Sequence, residues 1–407
     1  AARLLVVEAG SSSPSVTVAR KLGIPIAELV IPIGTPAGQF ELRGAPGKAA
    51  RPGPAGTADV ALVLHTSGTT SRPKIVPLTQ ANVCASADHI ATSLALTSAD
   101  RCLQVMPLFH IHGLIAAVLS SLHAGANVCC TSGFNALQFF TQLREIRPTW
   151  YTAVPTMHQA ILARAPRSRE TIDAVSLRFI RSSSASLPNQ VMTELEAVFG
   201  CPVIEAYGMT EAAHQMTSSP LPPRARFAGS VGVAAGPDVA IMDEQGVLLP
   251  AGDVGEIVIR GPNVTPGYRN NAGANAVAFT AGWFRTGDQG VLDSLGYLRL
   301  TGRLKEIINR GGEKFSPREV DEVLLNHPAV AQVVTFAVPH PMLGEDVAAA
   351  VVLKPGTEVS EGELRKFAGE RLADMKVPRK ILFLEEIPKG ATGKLQRIGL
   401  AAKLGLA

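Results

Sequence analysis

Between Val60 and Tyr207 short apolar runs alternate with longer segments whose apolar residues recur at helical spacing. The runs Val60–His65, Cys102–Met106, Ala126–Cys130, Trp150–Val154, Phe179–Ser182 and Val203–Tyr207 predict strands. Leu78–Leu96, Gly113–His123, Asn135–Ile146, Thr156–Ala165 and Pro188–Phe199 predict helices between most of them. Strands and helices that alternate on this scale imply an α/β fold, with a mainly parallel sheet and helices on its faces. Ahead of this region, Thr35 to Asp59 is rich in Pro, Gly and Ala and reads as loop or linker. From Arg224 to Tyr268 short β-rich runs between Gly/Pro turns predict a small antiparallel β subdomain.

A third pattern begins after Leu304. Ser316–Leu325 reads as a helix, and Val330–Val338 and Val347–Leu353 read as strands. Ser360 and Glu363 form a capping box that opens a helix expected to reach Met375, and Lys380–Ile387 predicts a last strand. About a hundred residues in this arrangement fit a smaller α+β domain. We therefore expect a large domain over residues 1–304 and a second over 305–407.

Composition narrows the function classes. Of 407 residues, 46% are hydrophobic and 18% charged, enough apolar surface for a large core. Lys and Arg number 38 against 34 acidic residues, a net charge of +4, and they are scattered. With aromatics at 5%, neither a basic patch nor a stacking platform for bases is in view, so a nucleic-acid role is not expected. The five cysteines include no CxxC pair, and Cys129 and Cys130 are adjacent, so reduced thiols are expected and zinc is not. No apolar run is long enough to span a bilayer, and a soluble cytoplasmic protein is the expectation.

The most specific feature is Leu64-His65-Thr66-Ser67-Gly68-Thr69-Thr70-Ser71-Arg72-Pro73-Lys74, directly after an apolar strand. Small hydroxyl residues around a glycine let backbone N–H and side-chain O–H groups converge on phosphate oxygens, and a nearby lysine adds charge. The spacing is not that of a Walker loop. Alone, the run reads equally well as a solvated turn. It is followed, however, by Glu205-Ala206-Tyr207-Gly208-Met209-Thr210-Glu211, Gly282-Trp283-Phe284-Arg285-Thr286-Gly287-Asp288, Gly302-Arg303-Leu304-Lys305-Glu306 and Pro388-Lys389-Gly390-Ala391-Thr392-Gly393-Lys394-Leu395.

In this order the five motifs resemble the adenylate-forming superfamily of acyl-CoA synthetases, luciferases and peptide-synthetase adenylation domains. Within it, LHTSGTTSRPK, PLFHIHGL, WYTAVPTMHQ, RSSSASLP, RGPNVTPGY and KEIINRGGEK resemble the oxalate–CoA ligase branch. The resemblance implies an adenylation domain over 1–304, entered inside the family's first domain, and a mobile C-terminal domain over 305–407. It also implies a two-step reaction, in which acid and ATP give acyl-adenylate and pyrophosphate and CoA then displaces AMP.

The resemblance further implies a role for each motif residue. Thr66, Ser67, Gly68, Thr69, Thr70 and Lys74 are expected to hold the β- and γ-phosphates. Tyr207, with Ala206 and Gly208 beside it, is expected against the adenine. Glu211 is the expected Mg²⁺ ligand and Thr210 the α-phosphate contact. Asp288 would accept from the ribose hydroxyls, with Arg303 nearby. Lys394 is expected between carboxylate and phosphate, where a cation offsets their repulsion. Lys305 is the expected hinge, and Gly312 would line the pantetheine tunnel. Ser184 and His214 match positions that contact oxalate in that branch, and a second carboxylate needs such polar partners. His110 is read as a gate to the acid site, although packing explains it and His112 equally well.

Three residues depart from the family pattern, among them Phe315, which is bulkier than the aliphatic residue expected there. Ser71 replaces a usual glycine, as it does in the oxalate branch. Ile75 stands where glycine is usual, and a β-branched residue held at positive φ would cost on the order of 1–3 kcal/mol. The leading reading is an ATP-, Mg²⁺- and CoA-dependent ligase for oxalate, monomeric or homodimeric. The alternatives are a ligase for another small or medium-chain acid, a carrier-loading adenylation domain, or an inactive nucleotide-binding fragment.

Overall fold

The computed structural model describes residues 2–36, 38–44, 53–66, 73–389 and 395–406. The chain divides into two compact units, Ala1–Gly56 and Thr57–Ala407. In the first, parallel strands Leu5–Glu8 and Ile26–Val30 are joined by the helix Pro14–Lys21. Ser13 caps that helix by accepting from the Ser15 amide, and Pro14 occupies its first turn, where its missing N–H is no loss. Glu41–Arg43 adds an antiparallel edge strand within the stretch expected to be loop.

The second unit is built on a seven-stranded sheet. Its order is Val233–Ala234, His214–Ser218, Val203–Met209, Phe179–Ser183, Trp150–Ala153, Arg101–Gln104 and Asn127–Cys130. The last five are mutually parallel, as the alternation of strands and helices predicts. Side chains alternate between its faces: Trp150 and Phe179 pack under one layer of helices with Ile90 and Ile115, while Tyr151 and Ile180 pack under the other with Phe139 and Leu195. The first predicted strand does not join. Val60–His65 pairs only with Ile75–Thr79, as an antiparallel ribbon.

That ribbon corrects the expectation of strain at Ile75. The residue opens the strand opposite His65, its carbonyl accepts from the Arg269 amide at 2.9 Å, and its φ is not positive. A β-branched side chain suits such a position. Most of the predicted helices form within a few residues of their expected limits, including Gln80–Ser93, capped by a Thr79–Asn82 box. Over Gly113–His123 the structure differs, since His112–Leu119 is a π-helix and only Ser120–His123 is α-helical. The Ser120 and Ser121 hydroxyls donate to the carbonyls of Ala116 and Ala117, competing with the regular ladder.

Beyond this sheet lies a six-stranded antiparallel one, which extends past the expected Tyr268 limit to Leu298–Arg303. Trp283–Leu292 and Leu298–Arg303 pair with Asp288 opposite Arg303. The remaining residues form a five-stranded sheet with its own core around Ile308, Val320, Val347 and Leu364. The Ser360–Glu363 capping box is present, but its helix ends at Gly369, where low helix propensity lets Leu372 turn back into the core. Among the described residues no helix is long and apolar enough to cross a membrane.

Glu205, on Val203–Met209, is buried and accepts from the Leu187 amide at 3.0 Å. Burial pushes its carboxyl up to about 7. A raised carboxyl favours the neutral folded form, so its contribution is intact at acid pH and lost as pH rises through about 7. Glu205→Gln keeps an acceptor for Leu187 and removes the charge. Thermal denaturation should show the variant gaining on the parent from pH 5 to pH 8, by on the order of 3 kcal/mol. A gap independent of pH would contradict this.

Candidate active site

The hairpin formed by Val203–Met209 and His214–Ser218, with the turn between them, carries six of the predicted site residues: Ala206, Tyr207, Gly208, Thr210, Glu211 and His214. Its pairing shifts register between Tyr207 and Gly208, so the two strands close tightly there. A Cβ on Gly208 would lie 1.7 Å from the His214 carbonyl oxygen, which leaves room only for glycine. Between the strands, Thr210–Ala212 forms one 3₁₀ turn, and the chain reverses through Ala213 at φ +47° and His214 at φ +106°. With Ser184 at φ +75°, these are three of the seven positive-φ non-glycine residues among those described. Strain of this kind persists only where the surroundings over-determine it.

The surroundings do so here. Asn263 Nδ2 donates to the carbonyls of Ala212 and Gln215 at 2.8 and 3.0 Å. The Thr265 amide donates to the Glu211 carbonyl at 2.7 Å, and the Ser86 hydroxyl to that of Ala213 at 2.6 Å. Asn263 and Thr265 belong to the RGPNVTPGY stretch, to which the sequence alone assigns no role.

On one side of the turn lie the groups expected to meet the nucleotide. The Tyr207 hydroxyl donates to Asp288 Oδ2 at 2.6 Å, and Arg303 Nε lies 3.0 Å from Asp288 Oδ1. Asp288 and Tyr207 are buried while Arg303 is more than half exposed. The Asp288 carboxylate raises the Arg303 pKa above its ordinary value. The Tyr268 hydroxyl donates to Glu211 Oε1 at 2.8 Å, and Lys74 Nζ sits 4.2 Å from the Tyr268 ring centroid. Burial raises the Glu211 carboxyl, against the opposing pull of the Tyr268 hydrogen bond and of Lys74 and Arg303. Tyr268 is thus a member of this cluster that sequence reasoning missed.

Thr66 and Lys74 are tied together, the Thr66 amide donating to the Lys74 carbonyl at 3.0 Å and the Lys74 amide to the Thr66 hydroxyl at 3.2 Å. Ser67, Gly68, Thr69 and Thr70 lie outside the described residues. So does Lys394, although Lys389 and Leu395 on either side of it are bridge partners. Lys305 is exposed in the 3₁₀ turn Leu304–Glu306. Gly311 and Gly312 form a two-residue hairpin turn at φ +62° and +95°, a turn that calls for positive φ at both positions.

On the other side of the turn is a largely buried cluster of polar side chains. His112 Nδ1 lies 3.0 Å from Ser184 Oγ, and its Nε2 lies 2.6 Å from Thr152 Oγ1. The His112 and His214 rings are 5.1 Å apart. Arg181 NH1 donates to His112 Nε2 at 3.4 Å, and its NH2 to Gln215 Oε1 at 3.2 Å. Sequence reasoning placed Ser184 and His214 here, left His112 open between packing and function, and missed Arg181, Thr152 and Gln215. His110 is only partly buried, and its Nδ1 accepts from the His112 amide at 3.2 Å.

Residues 4–269 match the AMP-binding enzyme family, and residues 319–394 match the AMP-binding enzyme C-terminal domain. The chain belongs to the AMP-binding enzyme family. It is 51% identical over 342 residues to an oxalate–CoA ligase of Arabidopsis thaliana, covering 83% of this chain and 66% of that one. To an oxalate–CoA ligase of Saccharomyces cerevisiae it is 48% identical, covering 85% of this chain and 63% of that one. The chain therefore spans somewhat less than two thirds of these relatives' length. Among solved structures, ATP-bound MatB from Rhodopseudomonas palustris superposes with TM-score 0.85 at 29% identity, over 97% of this chain and 77% of that one. O-succinylbenzoate coenzyme A synthetase from Bacillus subtilis, with ATP and magnesium, gives 0.75 at 34%, over 85% and 70%.

Because the obstacle at Gly208 is backbone and not a flexible side chain, Gly208→Ala should force the hairpin apart. Chemical denaturation should show a loss of about 1–3 kcal/mol. Binding of ATP and of acid should weaken together, since the hairpin carries both sets of groups. Parent-like stability and binding would show that the close approach is not needed.

Proposed function

We propose that the protein joins a small carboxylic acid, oxalate in the first place, to ATP as an acyl-adenylate with loss of pyrophosphate. It then passes the acyl group to CoA with loss of AMP. The observation that carries the choice of acid is the polar cluster of half-buried Ser184 and buried His112 and His214 beside the Arg181 cation. A second carboxylate leaves water only for donors and positive charge. An alkyl chain would offer these groups neither a hydrogen bond nor an opposite charge. The names of the relatives in Arabidopsis and yeast support the same acid.

In the first step a carboxylate oxygen attacks the α-phosphorus and pyrophosphate leaves. Lys394 stands between the two anions, Thr210 contacts the α-phosphate, and the Thr66–Lys74 segment holds the outer phosphates. Tyr207, Asp288 and Arg303, already joined by hydrogen bond and ion pair, receive adenine and ribose. Glu211 fits a Mg²⁺ ligand, since it is a buried carboxylate with one oxygen held by Tyr268. A hard cation shared between one carboxylate and phosphates is common, and it would offset phosphate charge there. In the second step residues 305–407 turn about Lys305, bring Gly312 along the pantetheine arm and admit the thiol, which attacks the acyl carbon and expels AMP. The separate core of that region and the exposed turn at Lys305 support such a motion. A reducing, cytoplasmic setting is supported by the cysteines, all free.

Pyrophosphate release with oxalate, malonate, acetate, octanoate and cinnamate tests the choice of acid. Oxalate should give the highest kcat/KM. His214→Ala should lower oxalate turnover by roughly 10²-fold, the size of effect that removing one preorganised polar group from an anion produces. Turnover of any monocarboxylate should fall far less. Equal losses across the panel would refute the oxalate assignment and leave the ligase reaction standing.

A further inference from the structure

The acid pocket rests on a full positive charge. Arg181 is wholly buried in the strand Phe179–Ser183, opposite Thr152 of the neighbouring strand. Its guanidinium donates to His112 Nε2 and to Gln215 Oε1, while its Nε has no hydrogen-bond partner. Among the described residues no carboxylate pairs with it. A buried cation without a counter-ion is costly to keep, and burial lowers its pKa to about 9, still charged at neutral pH.

This cation decides where the His112 proton resides. A guanidinium nitrogen donates and never accepts, so the Nε2 that faces it presents a lone pair. The Thr152 hydroxyl, 2.6 Å from the same atom, is then a second donor to it. The imidazole proton is left on Nδ1, which faces Ser184 Oγ at 3.0 Å and donates to it. Ser184 has a single hydroxyl proton, and having accepted from His112 it keeps that proton to give elsewhere. In the opposite tautomer Ser184 would spend its proton on His112 and turn only lone pairs toward an anion.

We propose that Arg181 is a positioning residue: through His112 Nε2 it fixes the Nδ1–H tautomer and so reserves the Ser184 hydroxyl proton for a carboxylate oxygen of the substrate. The proposal rests on the reading that the acid lies against Ser184. It adds that the polarity of that contact is set by a residue two hydrogen bonds further in, through His112. Gln215 completes the arrangement by holding the guanidinium, its own amide anchored to Ser93 Oγ at 2.9 Å and the Ala235 carbonyl at 3.0 Å.

Nitrogen NMR of protein labelled on its nine histidines tests this, with His112→Asn used to assign the His112 ring. The parent protein should show a protonated Nδ1 and a bare Nε2. In Arg181→Met the proton should move to Nε2, where Thr152 can accept it. The KM for the acid should rise at least ~10-fold, as for removal of a hydrogen bond to a charged group, with the KM for ATP unchanged. Arg181→Lys, which still donates, should restore the tautomer and much of the affinity. A proton on Nε2 in the parent overturns the proposal even if no variant folds. So does an Arg181→Met enzyme with unchanged tautomer and acid KM. The spectra need no substrate, so failure to turn over oxalate counts against the choice of acid and not against the tautomer.

Discussion

At Gly208 the two strands of one hairpin come so close that a single methyl group cannot enter, and the rest of the site follows from that approach. The tight crossing forces the chain to reverse within Thr210–His214, in backbone conformations that side chains other than glycine rarely adopt. Glu211 is thereby carried to one side of the turn and His214 to the other. A wider turn would relax the backbone and separate the two groups. The strain is held in place by Asn263, Thr265 and Ser86, which satisfy the carbonyls the turn exposes.

Charge is distributed on the same plan. The side of the turn that carries Tyr207 and Glu211 pairs its carboxylates with cations at its edge, Asp288 with Arg303 and Glu211 more distantly with Lys74. The side that carries His214 holds the Arg181 cation, with no carboxylate paired to it among the described residues. On the proposed reading, an incoming dicarboxylate would supply the missing charge. The parallel sheet makes this possible, because its strands place Thr152 and Arg181 in register on one face while Tyr151 and Ile180 fill the core behind.

Much of this was legible in the sequence, and the exceptions have physical causes. Strand and helix periods locate the parallel sheet, and the motifs locate Tyr207, Glu211, Asp288 and Ser184. The strand Val60–His65 misleads because an apolar run does not say which partner it pairs with, and here the partner is the ribbon strand at Ile75. Ile75 itself reads as strained only if the loop's turn extends one residue further than it does. Arg181 sits in an apolar run whose period signals core, and nothing local distinguishes a buried arginine from an edge one. Tyr268 and Asn263 act on groups about fifty residues away in the chain, a relation that only folding creates.

In the proposed reaction one site joins a small dicarboxylate to the α-phosphate of ATP before CoA enters. Oxalate labelled with oxygen-18 tests it most directly, because the attacking oxygen stays with the phosphate when the thiol expels AMP. AMP should carry one labelled oxygen for each oxalyl-CoA formed, and pyrophosphate should carry none. Label in pyrophosphate or phosphate, or thioester formed with unlabelled AMP, would contradict it.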